Sequence, residues 1–559
     1  MATVNSAFSA SATATAKFNT TRLNGGFTAQ ATAQVNFAAH TVKTQGFPYK
    51  QLGLKVEILL NGTWTDITRY VMVRDPINIS PVGRTDEASG MQAGQMTLSL
   101  KNTDGRFTPN NSFGAYYPYI QLNTKMRVSV NDQSTTGVTY VGYRFWGEVS
   151  EWPMKWDISQ RDVSDTITVS GIWRRLSQST KTLGSPFTRW NKQMGQSFTQ
   201  AGYWPMEDGT ASTNFASAAS TGDAMTVVST NGTPTMASCT AFAGSDAIPE
   251  LNGSQLTGVM HTSASPTQVV FRFCMFVQSG GDTGVAAGVL ARIKMGGSTT
   301  LNYVDVSLGP AGGGPFTITG YDSGNHVKFT STLSDVIYGI PIMVQVGLVK
   351  SGSNVIWSLN TIKPHTTTWY GTTTGTVNSV SLSDATSIIF NPGKTWRAIS
   401  VGQAAVYYAN PSITLDASAL GGWLGENAVT RFNRICTEQG IATEAIGTTT
   451  TAMGPQIDDT LVNVLQSIED TDGGFIYETT SKFGLGYRTM ASLQNQASKM
   501  SLDYSQGQVA ADLSPVNDDA LVRNDVTLAN SDGYSSRTYL ATGARSLNDP
   551  PNGVGTGYE

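Results

Sequence analysis

Between Tyr203 and Pro411 the chain repeats one pattern: a short apolar run, a cluster of turn residues, then another short run. "QVVFRFCMFV", "YVDVSLG", "FTITGYD", "IPIMVQVGLVKSGSNVIWSLN" and "WRAISVGQAAVYY" all read as strands. In the fourth, two alternating runs flank "KSGSN", which predicts a hairpin. Many short strands with no helical spacing leave few options, and the pattern predicts a β-sandwich of jelly-roll type. Composition agrees: 58 glycines and abundant Thr and Ser supply turns and strand faces, while charged residues make up only 14%.

At 559 residues the chain exceeds what one hydrophobic core accommodates, so it must divide. Residues 1–45 are rich in Ala, Thr and Ser and echo themselves between Phe8–Phe18 and Phe27–Phe37. They carry too little apolar surface to fold alone, which predicts an extended N-terminal arm that adds a strand to a neighbour, or else a flexible tail. Residues 46–202 return to strands, with Met96, Leu98 and Leu100 on one face and Thr97 and Ser99 on the other. There "TITVSGIWRRLSQ" reads as a strand running into a short helix. The sandwich occupies 203–411. Over 412–559 helical spacing appears: Ala428, Phe432, Ile435 and Cys436 recur before Gly440, and Leu461, Val464, Leu465 and Ile468 recur before Gly473 and Gly474. Asp458 or Asp459 falls near the N-cap of the second helix, and "FIYE" with "LGYRTM" predicts a hairpin after it. The class is mainly β with an α+β part.

Chemistry is sparse. Lys plus Arg number 36 against 40 acidic residues, and no basic block could neutralise a run of phosphates, so nucleic acid is not an expected partner. Cys239, Cys274 and Cys436 are far apart and odd in number, against a disulfide framework or metal knuckle; Cys436 sits on the apolar helix stripe and reads as core. The histidines His40, His261, His326 and His365 form no metal-ligand spacing and read as surface or strand residues. The stretch "SLKNTDGRFTPNN" places Asn102, Asp104 and Gly105 where a turn needs them, and only Asp104 stands where a calcium loop needs a carboxylate. "EDTDGG" clusters Glu469, Asp470 and Asp472; as a cation or acid/base site it competes with the simpler reading, a helix end with solvated carboxylates and a glycine stop. No nucleophile elbow, phosphate loop or E-x-D-x-E strand occurs, although carboxylates distant in sequence can still meet in space. Trp369 and Tyr370, in "HTTTWYGTTTG", are the candidate sugar contact, or alternatively a strand pair with one ring turned inward. The N-terminus lacks a charged region followed by an apolar one, and no stretch of about 18 apolar residues occurs. Neither a secretory signal nor a membrane span is expected.

The runs "VEILLNGTWTDITRYV", "INISPVGRTDEASGMQAGQMTLSLKNTDGRFTPNN", "PYIQLNTKMRVSV" and "RFWGEVSEW", with "GENAVTRFNRICTEQGI", "MGPQIDDTLVNVLQSIEDTDGGFIYETTSKFGLGYRTMASLQN" and "LSPVNDDALVRNDVTL", resemble the two halves of the hub region of minor tail proteins from tailed phages of actinobacteria. Between them "YWPMEDGTASTNFASAAST" and "RAISVGQAAVYYANPSI" resemble the start and end of a laminin-G or concanavalin-like domain. The resemblance implies a discontinuous β-barrel hub interrupted by the sandwich. It implies a virion structural protein at the tail tip, one of usually three copies that close the tube below the distal tail protein, hold the tape-measure protein and meet other minor tail proteins. It carries over no catalytic residues and no cofactor, so the chain is expected not to be an enzyme. Family members often continue past "PPNGVG", where this chain nearly ends, so a receptor-binding or lytic C-terminal domain is expected either to belong to another protein or to be missing here. The alternatives are an adhesin gripping host cell-wall polysaccharide and a tail-associated glycan hydrolase.

Overall fold

The computed structural model describes residues 53–557 apart from 81–82, 84–89, 134–138, 157–162, 263–264, 298–299, 412, 495–497, 499–500, 504–521, 530–534 and 556. The expected arm over 1–45, with His40, lies outside the described residues. Strands take 42% and helices 13% of the fold, so the mainly β expectation holds.

The first, flanking sheet is antiparallel and runs in the order Thr63–Asp66, Gly53–Leu60, Lys125–Gln133, Thr139–Glu151, Val163–Ser170, Gln95–Lys101, Asn78–Ser80. Its period-2 pattern buries Val56, Ile58, Met96, Leu98, Leu100, Met126, Val128, Ile167 and Val169 in one core. A barrel was expected here, but the sheet is open. It ends on strands of four and three residues, too short to offer each other a closing ladder, and no pairing among the described residues joins them.

Two further sheets pack face to face between Gln200 and Tyr407. One runs Thr235–Cys239, Ile248–Glu250, Ile399–Tyr407, Gln268–Val277, Ile342–Ser351, Asn354–Ile362, Gly371–Val377; we call it the backed sheet. The other, the bare sheet, runs Thr226–Val228, Gln255–Val259, Ala385–Phe390, Gly288–Met295, Tyr303–Leu308, Phe316–Tyr321, Val327–Leu333. Their facing sides share one core that includes Trp204, Phe271, Phe273, Phe390 and Trp396. The expected hairpin is present: Ser351 pairs with Asn354 across Gly352, whose φ of 63° is one that glycine tolerates. The first strand, Gln200–Trp204, pairs antiparallel with the last, Ile399–Tyr407, so the chain leaves the sandwich where it came in.

Helices Ala428–Glu438 and Leu461–Asp472 form as their spacing predicts, capped by Asn427 and Thr460, and Gly473 ends the second at φ 71°. They pack on a small sheet in which Phe475–Glu478 and Gly484–Arg488 make the expected hairpin and Ala442–Ile446 adds a parallel strand that the sequence pattern did not reveal. The short helix Ile172–Ser177 forms where expected. Helices Pro186–Ser197 and Ile413–Leu420 were not foreseen. The first has few apolar positions, and its signals were the Ser185-Pro186 start and the helical spacing of Phe187, Trp190 and Met194.

The flanks meet directly. Met91, Ile172 and Trp173 share a core with Phe432, Ile435, Leu465, Ile476 and Tyr487. The Glu478 carboxylate accepts from the backbone N–H of Gly94 at 2.9 Å and of Trp173 at 2.7 Å, so one side chain ties the small sheet to two places in the first flank. Trp146 Nε1 donates to the Thr480 carbonyl at 3.0 Å beside it.

Candidate functional site

The two outer faces of the sandwich differ. On the backed sheet, Cys274, Met343 and Ile362 lie under Phe187, Ala417 and Leu420 from the two unforeseen helices. Arg272 is buried there and ion-paired with the buried Asp416; it also donates Nε to Gln345 Oε1 at 2.7 Å and Nη2 to the Pro411 carbonyl. Asp416 takes a further bond from Trp190 Nε1 at 2.6 Å. Below it, Glu207 accepts from Ser185, Thr188, Ser245 and Gln403, and Gln403 holds a φ of 52° at a bulge in its strand. These carboxylates collect donors from helix Pro186–Ser197, from the backed sheet and from the loop at Ser245, so the network fastens the helices to the sheet.

The bare sheet carries no such layer among the described residues. Its register puts Thr257, Ile389, Arg292, Asp305, Thr319 and Thr330 in one cross-strand row, and Val259, Ser387, Lys294, Tyr303, Tyr321 and Val327 in the next. These positions alternate with the core residues Ile293, Val304, Val306, Ile318 and Phe390, so they face outward. Arg292 forks onto Asp305 through Nε at 2.6 Å and Nη2 at 2.7 Å, and its guanidinium lies 4.3 Å from the Tyr303 ring centre. The Asp305 hydrogen bonds hold the guanidinium above its ordinary pKa, against the pull of burial. Tyr303 and Tyr321 stack at 4.7 Å and 19°, and burial, foremost, raises the Tyr303 phenol. Thr319 and Thr330 pair hydroxyls at 3.1 Å, as Thr317 and Thr332 do at 3.4 Å. At the start of the Arg292 strand a cavity of about 390 Å³ opens between residues 285–289 and the turn of Pro392, Gly393 and Thr395, with Arg292 in its wall. Six strands at about 4.8 Å spacing make a platform about 24 Å across, of aromatic faces, hydroxyls and a fixed guanidinium. Such a surface can stack on sugar rings and hydrogen-bond their hydroxyls.

Trp369 and Tyr370 lie elsewhere, just before the edge strand Gly371–Val377 of the backed sheet, each 37% exposed. Tyr370 donates its hydroxyl to the Val336 carbonyl at 2.9 Å, and Lys363 Nζ sits 3.7 Å from its ring centre. The "EDTDGG" carboxylates are not all solvated, as the simpler reading had them. Glu469 and Asp472 are buried, Glu469 accepting from Ile476 N at 2.6 Å and Asp472 from Thr449, Tyr487 and Met490, because the small sheet folds back over the helix end. The stretch from Ser99 folds into successive turns around buried Asn102, which accepts from Phe107 N at 2.9 Å and donates to Asp165 at 2.7 Å. Cys239, Cys274 and Cys436 are free and buried. His261 and His326 are exposed beside Asp223 and Asp322, and burial lowers the pKa of His365. Sequence reasoning missed the bare-face residues. Their signal was the strict alternation in "YVDVSLG" and "FTITGYD", which marks a wet face without saying what it is for.

No family model matches the chain, and no curated protein is similar to it. Solved structures match part of the chain at low similarity. The receptor-binding domain of botulinum neurotoxin mosaic serotype C/D is 6% identical over 39% of this chain and 50% of its own, at TM-score 0.26. The enzymatically active domain of tailspike protein 2 from bacteriophage CBA120 is 15% identical over 35% of this chain, at TM-score 0.24. This chain spans only 30% of that tailspike domain. Alginate lyase vAL-1 from Chlorella virus is 8% identical over 41% of this chain and 99% of its own, at TM-score 0.23. The likenesses are distant, and none says what this chain does. They do correct one expectation, that the chain is not an enzyme: a lyase and an enzymatically active tailspike domain stand among the folds similar to it, and this architecture is no ground for excluding such activity.

Proposed function

We propose that this chain is a structural protein of a phage tail tip that presents its sandwich to glycans on the host surface. In this reading residues 46–202 and 412–559 form the discontinuous hub, 203–411 the inserted laminin-G-like domain, and 1–45 an arm that engages a neighbour. Three copies surround the tail tube and meet the distal tail protein, the tape-measure protein and other minor tail proteins. The sequence resemblance of the two flanks supports the hub, as does the way Glu478 and the shared core draw those flanks together. The glycan role rests on one observation: of the sandwich's two outer faces, one is fastened by helices and the other, among the described residues, is an uncovered ladder of Tyr, Thr and Arg. Trp369 and Tyr370, on the edge of the backed sheet, are proposed as a lesser contact.

The experiment replaces Tyr303 and Tyr321 together with serine in the phage. Particles should assemble normally, and adsorption to host cells and to isolated wall polysaccharide should fall. Failure to assemble, or unchanged adsorption, rejects the glycan role. Light scattering and negative-stain images of the purified chain test the hub independently, with a three-fold ring bearing peripheral lobes as the expected result. Assaying the polysaccharide incubation for released fragments tests whether binding is accompanied by cleavage.

A further inference from the structure

The Arg292 guanidinium has five N–H donors, and its fork with Asp305 uses one on Nε and one on Nη2. Its Nη1 group has no partner among the described residues, yet Arg292 forms part of the wall of the 390 Å³ cavity. Asp305 on one side and the Tyr303 ring on another fix the orientation of the group, so its free edge is prepared before any ligand arrives. The rest of the cavity wall, including Val285, Ala286, Gly288, Pro392 and Thr395, holds no carboxylate to compete for that edge. Asp305 offsets the Arg292 charge. Lys294, two residues further along the strand on the same outward side and about 7 Å away, is exposed and has no acidic partner among the described residues. The local balance around Arg292 is therefore positive. A neutral hydroxyl would engage one Nη1 hydrogen and leave Lys294 without a counter-charge, whereas an anionic oxygen group satisfies both.

We infer that the cavity beside Arg292 takes an anionic group, a carboxylate or a phosphodiester, borne by the glycan on the bare face. This rests on the glycan-binding reading above and adds the chemical class of the ligand.

The test titrates the full-length protein with three probes: a polyuronate oligosaccharide, the same oligosaccharide with its carboxyls reduced to neutral alcohols, and a poly(glycerol phosphate) chain. At low salt one acidic probe should bind about tenfold or more tightly than the neutral one, the value expected for one charge-assisted contact. That advantage should shrink as salt rises. The preferred acidic probe distinguishes a carboxylate from a phosphodiester. Lys294→Gln should remove much of the preference with an unchanged melting temperature. Arg292→Lys should do the same by losing the Nη1 edge, and because it can also disturb Asp305, Lys294→Gln decides if Arg292→Lys fails to fold. Equal or tighter binding of the neutral probe overturns the inference and leaves the glycan reading standing. If none of the three binds, the inference falls, and the glycan reading falls with it only if host wall polysaccharide also fails to bind.

Discussion

The backed and bare faces of the sandwich solve one problem in opposite ways. Both carry polar groups on sheets whose other side is core. Under the helices the buried charges have partners from another layer, because an unpaired one there costs several kcal/mol: Arg272 has Asp416, Gln345 and Pro411, and Glu207 has its ring of donors. On the bare face the polar groups pair along the sheet itself, Arg292 with Asp305 and Thr319 with Thr330, and spare donors remain for solvent or ligand. The comparison teaches that the fastened face should govern stability and the bare face recognition.

The strongest test of that division is Arg272→Ala. It strands the buried Asp416 carboxylate, and urea unfolding should lose about 3–5 kcal/mol; a loss below about 1 kcal/mol would mean the fastened face is not fastened. Next is Glu478→Gln, outside the sandwich but with the same logic of a half-buried acceptor shared by two elements. An amide presents only one acceptor oxygen to the Gly94 and Trp173 N–H groups, so a loss of about 1–3 kcal/mol is expected in the same assay.

A third test concerns the buried side of the flanking sheet and sets the pH at which faces should be compared. Asp165 is fully buried, its Oδ1 has no hydrogen-bond partner, and burial pushes its carboxyl up from 3.8 to about 7, against the Asn102 hydrogen bond. A folded pKa above the unfolded one means that the native state holds the proton more tightly. Its contribution to stability is full below about pH 4 and is lost as pH rises through about 7. Asp165→Asn should flatten this part of the pH profile and gain about 1–2 kcal/mol at pH 8, as read from melting curves. An unchanged slope between pH 4 and 8 would place the titration elsewhere.

The smallest stability effect belongs to the bare face. Tyr321→Ala should cost under about 1 kcal/mol, the value of an aromatic pair, while glycan binding falls several-fold. A large stability loss with intact binding would reverse the comparison.

Much of this contrast was written in the chain. "QVVFRFCMFV" is a nearly unbroken apolar run, the mark of a strand covered on both sides, and it is the central strand of the backed sheet; "FTITGYD" alternates, the mark of one wet side, and it lies on the bare sheet. The helices at 428–438 and 461–472, their stops and the hairpin turn at Gly352 followed from local spacing and turn chemistry, which act within a few residues. What tertiary structure alone decided is which distant residues meet. Register across three strands brings Arg292 to Asp305 and Tyr303 to Tyr321, and the fold-back of the small sheet buries Glu469 and Asp472 and carries Glu478 to Gly94. Helix Pro186–Ser197 is held by the sheet it covers more than by its own apolar pattern. Periodicity reports which side of an element is apolar; a site is made of side chains brought together by pairing and packing over long sequence separations, and no local pattern encodes that.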